Sequence, residues 1–170
     1  WGKAVGIVIG IDQSYNSTGV CVMNSDRQVL ELFTIRTPAS VGDIFDRAEA
    51  VATAVAELTI KYVPIGIGLE GLAFAMMGDA TRDLAGLQFV IVNKLRYAYD
   101  FKRIVIPTPN TVKKLATGKG NSKKEALYEA LPEDVKKRIE ANNYKKTTGM
   151  YDVTDAYWIA MYTLEHFTIL

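Results

Sequence analysis

Two short apolar segments, each ending in an acid, limit what this chain can fold into. Val5–Asp12 (VGIVIGID) is a continuous apolar run that closes on Asp12, and Ile65–Glu70 (IGIGLE) repeats the pattern with Glu70. An apolar run without alternation reads as a strand buried on both faces. The acid at its C-terminal end then falls at the rim of the sheet, where a site can form. Between these two strands, Thr18–Met23 and Gln28–Arg36 read as strands joined by the tight turn Asn24–Arg27 (NSDR), an antiparallel hairpin.

The remaining elements follow from periodicity. Residues 41–63 carry Ile44, Ala48, Val51, Val55 and Leu58 at helical spacing, and Pro64 stops that helix. A long helix spans roughly Asp79–Tyr99, a fifth strand Lys102–Ile106, and a short helix Asn110–Ala116. Asn121 or Ser122 is placed to cap a further helix, with Ser122 and Glu125 at capping-box spacing. Pro132–Asn143 and Gly149–Thr163 complete the set. Three antiparallel strands leading into a βαβ arrangement predict an α/β fold of ribonuclease-H-like type. Its mixed five-stranded sheet is flanked by helices. A doubly wound nucleotide binder would alternate from the start, and an actin-like ATP-binding protein needs a second lobe.

At 170 residues the natural count is one domain, spanning the whole chain. No run of about 18 apolar residues is present, so no membrane span is expected. The opening WGKAVGIVIGID lacks both a Met and a cleavage-type segment. It reads as a trimmed or altered start and not as a secretory signal. Cys21 is the only cysteine, which excludes an intrachain disulfide and fits a reducing compartment. The expected location is therefore cytoplasmic (a nucleoid or an infected host cell) or an organelle. His166 is the only histidine, so a His/Cys zinc site is excluded.

The net charge of +1 conceals a basic segment: residues 102–146 hold 12 Lys/Arg against 5 Asp/Glu, and residues 147–170 hold three acids and no Lys/Arg. Charge alone leaves two readings open, a solvated lysine-rich face or a polyanionic partner beside a cation site.

Asp152 and Asp155 lie three residues apart at the start of the last helix, on one helical face. They could simply be first-turn anions favoured by the macrodipole. If the first and fourth strands are neighbours and the last helix crosses their ends, Asp12, Glu70, Asp152 and Asp155 converge. Such a cluster repels itself unless cations intervene. Oxygen ligands without His or Cys select Mg²⁺, with Mn²⁺ able to substitute. Two ions about 3.5–4 Å apart are the arrangement that hydrolyses phosphodiesters.

With these residues in place, the chain resembles the RuvC-type Holliday-junction resolvases, and looks more like a phage- or organelle-type member than a bacterial housekeeping one. GIDQSYNSTGVCV resembles the first motif of that family, through Asp12, Thr18 and Gly19; Glu70 with its following loop and long helix resembles the second. TVKKLATGKGNSKKEAL resembles the third, through Lys113, Gly118, Gly120 and Lys124, and YDVTDAYWIAM the last. Nearly the whole chain is covered, in order. Two positions depart: Gln13-Ser14 stands where the family often has Pro-Gly, and the loop aromatic falls on Ala73, with Phe74 one residue later.

The resemblance implies a homodimeric, Mg²⁺-dependent endonuclease that makes paired nicks in a four-way DNA junction, with no nucleotide cofactor. Asp12, Glu70, Asp152 and Asp155 would be the metal ligands, Lys124 the lysine beside the scissile phosphate, and Lys113 a nearby phosphate contact. Lys119 and Lys123 add salt-sensitive phosphate contacts around a glycine loop that is not a P-loop. Phe74, Met76 and Met77 could stack on or wedge between bases, or could pack under their loop or in a dimer interface. Leu84, Leu87, Val90, Ile91 and Leu95 form a stripe that serves either the sheet or the dimer. A related nuclease for flaps, branched replication DNA or RNA–DNA hybrids is an alternative. A non-catalytic junction-binding module is another, although clustered negative charge does not help bind a polyanion.

Overall fold

The structure, a computed structural model, describes residues 6–72 and 78–168. Five strands form one mixed sheet: β1 (Ile7–Asp12), β2 (Ser17–Asn24), β3 (Val29–Arg36), β4 (Gly66–Leu69) and β5 (Ile104–Val105). Their order is β3-β2-β1-β4-β5. β1 pairs antiparallel with β2 and parallel with β4, so the two apolar runs that end in acids are neighbours at the centre. The β2–β3 hairpin turns through Arg27 in the left-handed region (φ 65°).

The helices are α1 (Ile44–Tyr62), α2 (Asp79–Asn93), α3 (Pro109–Thr117), α4 (Lys124–Glu129), α5 (Glu133–Ala141) and α6 (Met150–Thr168). α1 opens on an Asp43–Asp46 capping box and leaves through a left-handed Val63 (φ 46°), just ahead of Pro64. α2 continues as a π-helical turn over Lys94–Ala98, which accounts for the expected helix reaching Tyr99. The fifth strand is shorter than Lys102–Ile106, because β5 pairs with β4 only through Ile104 and Val105. The last helix runs five residues beyond Thr163. No helix among the described residues is long and apolar enough to cross a membrane.

The two-residue period of the strands splits the core. Ile9, Ile11, Val20, Val22, Ile67 and Leu69 pack under α1 and α2, together with Leu87, Ile91 and Leu95. Val8, Cys21 and Met23 face the opposite layer with α6 and residues from α3, α4 and α5. By the same period, Asp12 shares the face of Val8 and Gly10, and Glu70 that of Gly66 and Gly68. That is the face α6 covers.

Glycines let α6 lie directly on this face. A Cβ at Gly10 would stand 2.2 Å from the Ala156 carbonyl oxygen, and one at Gly19 would stand 2.1 Å from that of Asp152. Any side chain there would lift the helix that carries both aspartates. Of the hydrophobic stripe of the long helix, Leu87, Ile91 and Leu95 are fully buried against the sheet, whereas Leu84 and Val90 are half-buried.

Candidate active site

The sheet and α6 bring three of the four expected acids together. Carboxylate oxygens of Asp12, Glu70 and Asp155 all lie within 4.8 Å of one another. Asp12 comes from the end of β1, Glu70 from the residue after β4, and Asp155 from the second turn of α6. Asp152 is held differently. Its Oδ2 accepts a hydrogen bond from the Ser17 hydroxyl at 2.8 Å, at the start of β2. It remains close enough to raise the pKa of both Asp12 and Asp155 by its charge.

The electrostatics are those of an uncompensated cluster. Asp12 is pushed well above the ordinary carboxylate range, first by burial, then by the adjacent Glu70 carboxyl, then by the charges of Asp155 and Asp152. Asp155 is raised to about 7, by burial and by Glu70, with Lys124 and Lys113 pulling the other way. An oxygen-only donor set of this span fits a hard divalent cation, whose octahedral ligands lie roughly 3–4 Å apart. The residues therefore suit the cofactor that the sequence suggests, and the cluster is compatible with divalent metal binding.

The basic residues divide. Lys113 from α3 and Lys124 from α4 line one cleft of about 140 Å³ with Glu70, Asp155, Pro109 and Val112. The Lys124 ammonium also stands 5.9 Å from the Tyr151 ring centroid, which lies next to Asp152 in sequence. Lys119 and Lys123 are exposed on the Gly118–Lys123 loop and at the start of α4. The expected Ser122 cap is absent. Lys123 occupies the N-cap of α4 without a side-chain cap bond, while the Ser122 hydroxyl donates to the Lys119 carbonyl at 2.8 Å and meets the Thr117 hydroxyl. The Ser122 side chain thus closes the glycine loop instead of starting the helix.

On α5, Lys137 is exposed, whereas Arg138 donates to the Val29 and Leu30 carbonyls on edge strand β3. Phe74 and Met76, the candidate base-contacting residues, and Met77 beside them lie outside the described residues.

Three contributors were not expected from sequence. Gln13 is 6% exposed and clamps the Glu70 backbone: its Nε2 donates to the Glu70 carbonyl at 2.7 Å, and its Oε1 accepts from the Glu70 N–H at 3.0 Å. Gln88 of α2 donates to the same carbonyl at 3.1 Å. Ser17 orients Asp152. The only sequence signal was indirect: Gln13 stands where the resembled family often has proline, which carries no side-chain amide. Thr18, the expected motif threonine, ties the turn by donating to the Ser14 carbonyl at 3.0 Å and accepting from the Ser14 N–H at 3.2 Å.

No family model matches this chain, and no curated protein matches it. Solved structures do. RuvC of Thermus thermophilus aligns with a TM-score of 0.66 at 15% identity, over 95% of this chain and 93% of that one. T. thermophilus RuvC in complex with a Holliday junction substrate gives 0.69 at 17% identity, again over 95% and 93%. The yeast mitochondrial Holliday junction resolvase Ydc2 gives 0.64 at 15% identity, over 95% of this chain and 81% of that one. The mixed sheet, its strand order and its flanking helices are therefore those of the RuvC-type resolvase fold.

Proposed function

We propose that the chain is a single-domain, divalent-metal-dependent endonuclease that resolves four-way DNA junctions by paired nicks. One observation carries this reading: Asp12, Glu70 and Asp155 converge within 4.8 Å at the end of a RuvC-type sheet. The resolvases that share the fold, one of them bound to a Holliday junction, support branched DNA as the substrate.

In this reading Asp12, Glu70 and Asp155 hold a cation, and Asp152 joins them for a second, with Mg²⁺ preferred and Mn²⁺ able to substitute. Bound cations would supply Lewis-acid activation of water and neutralise charge developing on the phosphate. Lys124 holds the scissile phosphate from the cleft it shares with Glu70 and Asp155, and Lys113 contacts the same or the next phosphate. Lys119 and Lys123 track the backbone of the bound arm. Phe74 and Met76 contact bases opened at the junction. Asp155, at about 7 in the free protein, is shared between protonated and ionised forms near neutrality, and cation binding selects the ionised form.

Two copies would be needed to place symmetric nicks. Exposed apolar side chains support that assembly, among them Phe45 on α1 and Phe89 on α2, 79% and 69% exposed. Incubating the protein and Mg²⁺ with a four-way junction, a flap, an RNA–DNA hybrid and a linear duplex tests the substrate class. Preferential symmetric nicking of the junction is expected. Faster cutting of flap or hybrid would identify a related nuclease, and junction binding without cleavage would identify a binding module.

A further inference from the structure

We propose that Gln13 is a positioning residue that fixes Glu70 for cation binding. The proposal rests on the metal-dependent reading above and concerns a residue at which this chain differs from the resembled family.

The parallel ladder between β1 and β4 ends at Ile11 and Leu69. The next β1 residue, Asp12, pairs with Gly19 on the other side, so it gives no main-chain support to Glu70. What remains from β1 is a bond from the Glu70 N–H to the Ile11 carbonyl at 3.2 Å. Glu70 would therefore be the first loosely held residue, although its side chain must meet Asp12 and Asp155. After it the chain runs into Gly71, which is anchored to the Pro107 carbonyl at 2.8 Å.

The Gln13 side chain supplies the missing support. A primary amide offers one acceptor and two donors, as a pair of peptide groups would. Here it accepts from the Glu70 N–H and donates to the Glu70 carbonyl, closing a two-point clamp on one residue. Bonds to the peptide groups on either side of the Glu70 Cα restrain both its position and its rotation, and rotation sets where the carboxylate points. Gln88 adds a single bond to the carbonyl from α2 and cannot provide both restraints. The amide is almost wholly buried, so this pairing does not compete with water. Among the described residues no buried side-chain polar atom lacks a partner. Partners that orient a metal ligand typically influence cation affinity by about 10–100-fold.

The test measures Mn²⁺ affinity calorimetrically, without DNA, for the wild type, Gln13→Met and Gln13→Asn. Gln13→Met keeps the volume and loses the amide. Gln13→Asn keeps the amide but is one methylene too short to span both Glu70 groups. Both are expected to weaken Mn²⁺ binding about 10–100-fold. Junction affinity measured without metal should stay within about twofold, and saturating Mn²⁺ should restore kcat, which a merely misfolded variant would not show. If Gln13→Met does not fold, Gln13→Asn decides. A wild-type Mn²⁺ affinity in either folded variant overturns the positioning role alone. A wild-type protein that binds no Mn²⁺ overturns the metal-dependent reading and this proposal with it.

Discussion

Asp155 is held among like charges in a partly buried setting, and this gives the metal-free protein a pH signature. Its pKa rises from 3.8 to about 7 on folding, so the folded state disfavours its charge. The favourable contribution is complete below about pH 4 and is lost as pH rises through about 7. Asp155→Asn removes the charge. It is expected to melt higher than wild type at pH 8 without metal, by about 1–2 kcal/mol, and to show a difference that shrinks toward pH 4.5. Mg²⁺ should stabilise wild type more at pH 8 than at pH 5.5; equal shifts at the two pH values would contradict the account. At the neighbouring carboxylate, Ser17→Ala frees Asp152 from its 2.8 Å bond. Cleavage should fall roughly 10-fold and recover with excess Mg²⁺, while junction binding holds. Lys124→Met should slow cleavage by about 10²-fold and leave Mn²⁺ affinity nearly unchanged, as expected of a group that acts on phosphate. The convergence of Asp12, Glu70 and Asp155 was legible from sequence because strand ends and helical spacing are local patterns. The distinction between Asp152 and the other three was not, because it depends on Ser17, 135 residues away.

α6 owes its position to the floor beneath it. Ala156 rests over Gly10, and the Asp152 carbonyl over Gly19, at separations that admit no Cβ. Gly10→Ala should therefore lift or shift α6 and cost roughly 3 kcal/mol, on the order of 10 °C in Tm. Thermal melting would show it, and a melting point within about 1 °C of wild type would rule out this close packing. Gly10 was visible in IGID, and Gly66 and Gly68 in GIGLE, and they share the strand period with Asp12 and Glu70. Their use was hidden, since a glycine in a strand marks a close approach without naming what approaches. The capping box at Ser122 failed for a related reason: the side chain has better partners within its own loop, at Lys119 and Thr117. β5 fell short of its expected length because parallel pairing with β4 continues only as far as Val105.

The molecule is two helical layers on one sheet, with the carboxylates where α6 crosses the C-terminal ends of β1 and β4. The mixed five-stranded sheet was legible from the order of element types, because a hairpin followed by βαβ allows few sheets, whereas the adjacency of β1 and β4 entered the sequence reading only as a condition. The assembly was less legible. Leu87, Ile91 and Leu95 serve the core, while Phe45 on α1 and Phe89 on α2 are among the exposed apolar side chains. If Phe89 lies between two copies, Phe89→Glu should shift the sedimentation coefficient to that of a monomer and abolish paired nicking while leaving Mn²⁺ binding intact. The claim on which the rest depends is that the carboxylate cluster performs phosphodiester hydrolysis. It is tested most directly by incubating wild type and Asp155→Asn with a synthetic four-way junction and Mg²⁺, scoring binding and cleavage in the same samples. Wild type should nick the junction, and Asp155→Asn should bind it within a few-fold yet cut at least about 10³-fold more slowly. Cleavage by Asp155→Asn at the wild-type rate would contradict the account.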